Sequence, residues 1–124
     1  MKHITAVRFT PHTVSFKLDG VPVHDTIRLE PRVPMVGHYF MHRSVVLVDR
    51  KIRDPRERQS IALHEGIERH LRLHAGLGPL QAHRIAEWEE GRWDAQHRIP
   101  VRPYERDVEK VFRQNAREGV RRRR

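Results

Sequence analysis

The chain has no cysteine among its 124 residues. That excludes disulfides and thiolate-ligated metals, so any ion it holds must be held by histidines and carboxylates. Long apolar runs are missing too: none approaches the ~18 residues needed to span a bilayer. The opening Met1-Lys2-His3-Ile4-Thr5 has no long apolar segment after its charge, so a secretory leader is not expected. A cysteine-free chain without a span is compatible with the cytoplasm, where we expect it, with no membrane partner. There is no Gly-rich phosphate loop and no internal repeat. No Ser or Thr has the His/Asp setting of a catalytic nucleophile.

Positive charge, by contrast, is plentiful. The formal net charge is +9, and 21 of the 25 basic residues are Arg. Arg121, Arg122, Arg123 and Arg124 supply four of those charges. Without them the balance falls to +5. A like-charge block at a terminus reads as a disordered, solvated tail over 121–124 that adds nonspecific contact with nucleic acid. Residues 1–120 are predicted to form a single α+β domain around one core, since a chain this short has room for no more.

The first half reads as strands over about 3–50, in a small antiparallel or mixed sheet. Residues 3–9 and 13–18 alternate apolar and polar side chains, the period of a half-buried strand. Asp19-Gly20 signals a turn into a short strand through Val21 and Val23, and 26–30 is a separate strand candidate. Ser44-Val45-Val46-Leu47-Val48-Asp49 is the clearest strand, β-branched and apolar on both faces. His38 and His42 read as loop residues, and Tyr39, Phe40 and Met41 as the anchors of that loop.

After Asp54-Pro55 the period changes to that of helices, expected over about 55–118. Asp54 is a good N-cap and Pro55 a good first helical residue. Ile61, Leu63, Ile67, Leu71 and Leu73 then recur at helical spacing until Gly76 to Gly78. Pro79 opens a second helix to about Gln96, with Trp88 expected in the core and Trp93 partly exposed. Pro100 and Pro103 predict an extended break before a third helix over 104–118, carrying Val108, Val111 and Phe112 on one face.

The chemistry concentrates in the first two helices. His64 and Glu68 stand four residues apart, on one helix face and one turn apart, so they can grip one ion. Glu65 follows the first ligand directly and is the candidate general base. His83 and Glu87 repeat the His-x-x-x-Glu spacing on the second helix, and the short Gly-rich turn makes the two helices antiparallel neighbours. His64, Glu68 and His83 make a His2Glu set suited to zinc, and such a set also accepts other divalent transition metals. Glu87 is either a fourth ligand or a carboxylate that orients His83. His70 lies about 240° around the helix from His64 and cannot share its ion.

A short apolar strand followed by a helix with His-Glu at its centre resembles the minimal zincin metallopeptidase core. The resemblance covers residues 44–90, and Glu68 stands where that family has a second His. It implies a zinc-dependent peptidase with His64 as ligand, Glu65 as base, His83 or Glu87 downstream, and a protein or peptide substrate paired to an edge strand. In that comparison 45–49 takes the part of the edge strand. The alternative is a noncatalytic, metal-stabilised module that binds protein or nucleic acid through its basic surface, favoured if all four His and Glu residues saturate the ion.

Overall fold

The computed structural model describes residues 4–122. It is an α+β chain with five strands first and three helices after them. The strands are β1 (Ile4–Thr10), β2 (Thr13–Leu18), β3 (Val21–Glu30), β4 (Gly37–Phe40) and β5 (Arg43–Asp49). The helices are α1 (Pro55–His74), α2 (Pro79–Gln96) and α3 (Val101–Arg122).

The sheet order is β1-β2-β3-β5-β4. All neighbours run antiparallel except β3 and β5, which are parallel with Thr26 opposite Val45. Asp19 and Gly20 both have positive φ, 50° and 82°, which the tight hairpin turn between β2 and β3 requires. β3 is one continuous strand from Val21, where two short ones were expected, because Val21 to Thr26 pair without interruption along β2. Pro22 is accommodated opposite Lys17 near the start of that strand.

Two sequence expectations fail around residue 40. His38, Tyr39 and Phe40 are not loop residues but belong to β4, joined to β5 through the turn at Met41 and His42. Residues 45–49 are not an edge strand, since β5 is paired on both sides and β4 forms the edge. Between β3 and β4, a 3-10 turn (Pro34–Val36) holds Met35 and Val36 at φ 51° and 59°. Left-handed backbone is unfavourable for a β-branched residue such as Val.

α1 crosses the inner sheet face, and its capping matches the sequence: Asp54 accepts from Arg56 N–H at 2.9 Å. Ile61, Leu63, Ile67 and Leu71 are buried with Val14, Phe16 and Leu18 of β2 and Val46 and Val48 of β5. α2 contributes Ala82, Ala86 and Trp93 to the same core. The tryptophans exchange their expected places: Trp93 is 7% exposed and stacks edge-on against Phe9, whereas Trp88 is 59% exposed beneath Arg92. The buried stripe of α2 is 82, 86, 89 and 93, and position 88 falls on the other side. α3 begins at Val101 rather than 104, because Pro103 lies in the first turn, where its missing N–H has no intrahelical partner to lose. α3 is assigned through Arg122, and the rest of the basic tail expected over 121–124 lies outside the described residues. Among the described residues no helix is long and apolar enough to cross a membrane.

One buried polar cluster fixes how α1 sits. Asp25 of β3 is fully buried and accepts from Arg69 at 2.9 Å, with His70 Nε2 also 2.9 Å away. Arg69 Nε donates to the Phe40 carbonyl at 2.8 Å. The residues after Glu68 are thus tied to two strands, which sets the rotation of α1 and turns His64 and Glu68 towards α2.

Candidate metal centre

The α1–α2 contacts pair Ser60 with Asp94, His64 with Glu90, and Glu68 with His83, an antiparallel arrangement as expected from the short turn. His64, Glu68 and His83 are the group among the described residues placed to hold a metal, their ligand atoms all within 4.8 Å of one another. His64 Nε2 lies 2.8 Å from Glu68 Oε1 and 3.2 Å from His83 Nδ1, and His83 Nδ1 also contacts Glu68 Oε1. Bonds of about 2.0–2.1 Å to a tetrahedral ion set ligand atoms about 3.3 Å apart. The trio is drawn slightly closer than that around shared protons.

Each imidazole is held from behind by a carboxylate. His64 Nδ1 is 2.9 Å from Glu90 Oε1, and His83 Nε2 is 3.3 Å from Glu87 Oε1. Glu87 therefore sits at the far nitrogen of His83 rather than among the ligand atoms, and its side chain is 63% exposed. That position faces His83 from the side away from the trio, where an orienting carboxylate would stand.

Glu90 went unrecognised in the sequence. Its second oxygen accepts from the Tyr104 hydroxyl at 2.6 Å and lies 2.6 Å from Ser60 Oγ. Ser60 Oγ is also 2.5 Å from Asp94 Oδ1. One hydroxyl proton cannot serve both carboxylates, so one carboxyl must bring its own. Asp94 is the more easily protonated, because burial and the neighbouring Glu90 charge push it up to about 6 against the Ser60 hydrogen bond. The signal for Glu90 was present: 83, 87 and 90 form one stripe of α2.

The electrostatics follow from crowding carboxylates around one imidazole. Burial works against a charged His64, but hydrogen bonds to Glu68 and Glu90 outweigh it and push the group up to about 10. Burial also raises Glu68 and Glu90, yet their bonds to His64 hold both below the ordinary carboxylate range. Glu65 has no such compensation. Burial, reinforced by the Glu68 and Glu90 charges and opposed by His64, pushes it up to about 7.

Glu65 lines the same cavity of about 410 Å³ as His64, Glu68 and His83. Its place depends on Gly37 of β4. A Cβ there would lie 2.6 Å from Ile61 Cγ2 and 2.8 Å from Glu65 Oε1. Gly37 has extended backbone, φ −144°, so glycine is required by close approach and not by conformation. His38 and Tyr39 of the edge strand line this cavity as well. Compared with models of known protein families, with curated proteins and with solved structures, the chain matches none.

Proposed function

We propose that this protein is a zinc-dependent hydrolase of peptide bonds, built on a zincin-like core with His64, Glu68 and His83 as ligands and Glu65 as general base. The observation that carries the reading is the convergence of three ligand atoms from two helices, with a buried carboxylate in the same cavity. The donor set fits zinc: two imidazoles and one carboxylate, each imidazole held on its far nitrogen, leave coordination open. When bound there, zinc supplies Lewis acidity that polarises a carbonyl and lowers the pKa of water.

The chain's own groups do the rest. Glu90, fixed by Ser60 and Tyr104, holds Nδ1–H of His64 and so presents Nε2 to the ion. Glu65 is poised near neutrality to take a proton from attacking water and return it to the leaving amine. β4, as the free sheet edge beside α1, offers backbone groups to an extended peptide. The noncatalytic alternative drew support from a saturated four-ligand site, and the place of Glu87 behind His83 speaks against it.

The test is a pair of variants incubated with an unbiased peptide mixture, read by mass spectrometry and by metal content. Glu65→Gln should keep its zinc and lose hydrolysis, whereas His64→Ala should lose both. Equal zinc loss in both would make Glu65 a ligand and remove the base from the scheme.

A further inference from the structure

A groove of about 570 Å³ lies between α2 and α3, well inside the range of about 300–1,000 Å³ usual for ligand sites. It runs into the cavity of the metal centre: Met35, Glu87, Glu90, Tyr104 and Val108 line both. Its apolar surface includes Met35, Val101 and Phe112, which are 72%, 64% and 46% exposed. Large apolar side chains left open together, beside a site, mark a surface that binds something.

Two further features mark the groove. Gly91 lines the groove from the middle of α2, where glycine is a poorer helix former than alanine. Its φ is not positive, and a Cβ there would meet nothing within 4 Å. Neither backbone nor packing therefore asks for glycine, and what its bare backbone provides is width in the groove. Met35, at the junction of groove and cavity, is carried by the left-handed pair Met35–Val36, a conformation that residues other than glycine rarely adopt.

The groove is also oppositely charged to the chain. Glu87, Glu90, Asp94, Glu105 and Glu109 line it, with no Lys, Arg or His among the described lining residues. Glu90 faces His64, Glu87 faces His83 and Glu109 is paired with Arg113, which leaves Glu105 as the exposed carboxylate with no cation beside it. Exposed Glu105, and the acceptor oxygens of its neighbours, favour a cationic segment over an anionic one.

We propose that this groove is the side-chain specificity pocket of the metal centre, taking a Leu- or Phe-sized residue from a peptide whose neighbouring residues are Lys or Arg. The assignment rests on the reading of the centre as peptide-hydrolysing, and it makes Gly91 the residue that sets the size limit.

The test uses the full-length, zinc-loaded Glu65→Gln protein, which should bind without turnover, and fluorescein-labelled octapeptides. These carry a central Ala, Leu or Phe flanked by Lys or by Glu, and binding is read by anisotropy. The Lys-flanked Leu or Phe peptide should bind at least about tenfold more tightly than its Ala counterpart. It should also bind more tightly than the Glu-flanked peptide. Adding Gly91→Leu should erase the preference for Leu and Phe, while zinc content stays and the melting temperature does not fall, since Leu is the better helix former. Gly91→Ala should erode the preference partway.

Absence of binding by every peptide, or a Gly91→Leu protein that still prefers Phe, would overturn the proposal. With Glu65 restored, cleavage that ignores the central residue and Gly91→Leu would overturn the pocket and leave the hydrolase reading standing. Preferred peptides that bind but are never cleaved would do the reverse.

Discussion

Zinc affinity should rise steeply with pH, because a proton occupies the atom the metal needs. In the metal-free protein His64 Nε2 lies 2.8 Å from Glu68 Oε1 while Nδ1 lies 2.9 Å from Glu90 Oε1, and the two carboxylates push the imidazole up to about 10. At pH 7, three units below that value, about one molecule in a thousand has Nε2 free. With 1.36 kcal/mol per pH unit, the competition lowers the apparent binding free energy by about 4 kcal/mol. The sign is fixed: raising the pH removes the competing proton, so affinity increases by about tenfold per unit and levels off only near pH 10. Below about 7 the slope should steepen, because Glu65 then also gives up a proton when a cation arrives beside it. The assay is a chelator-competition titration with zinc between pH 6 and 9, with proton release followed in parallel by an indicator dye. At least one proton per zinc is expected at pH 8, the one displaced from His64. Glu90→Ala removes one of the two carboxylates that hold the proton, so its plateau should begin at lower pH. An affinity that stays constant from pH 7 to 9, with no proton released, would show that no proton competes with zinc at His64.

Three other outcomes follow. Asp25→Ala leaves the Arg69 guanidinium buried without its carboxylate and should destabilise the fold by about 3–5 kcal/mol in urea titrations. A loss under about 1 kcal/mol would show that the cluster does not hold α1 in place. Gly37→Ala pushes a methyl into Ile61 and Glu65 and should destabilise by about 1–3 kcal/mol, with loss of hydrolysis exceeding loss of zinc. Glu87→Ala should change zinc affinity by less than about threefold, since an exposed contact at 3.3 Å is weak. A loss as large as that of His83→Ala would make Glu87 a ligand.

Local chemistry made much of this arrangement legible. Asp54-Pro55 and Pro79 mark the starts of α1 and α2 at the residues where they occur, because caps and prolines act on their immediate neighbours. β2 was readable from its alternation alone. β4 was not, since residues 37–40 lack a clear period and become a strand only by pairing with β5. The exchange of Trp88 and Trp93 has the same origin: both fit an amphipathic helix, and the sheet decides which face is covered. In the site, the four-residue spacing put His64 and Glu68 on one face of α1, and the short turn after α1 made α2, with His83, its antiparallel neighbour. Glu90 shares the stripe of His83, but its bond to His64 depends on how deeply α2 packs. The link from Arg69 and His70 to Asp25 spans more than forty residues and has no local signature.

Elemental analysis of the purified protein, after zinc is supplied at pH 8 and excess ion removed, tests the central claim most directly. Close to one zinc per chain is expected, lost in His64→Ala and His83→Ala and kept in Glu65→Gln. Wild-type protein that holds no transition metal under those conditions would contradict it.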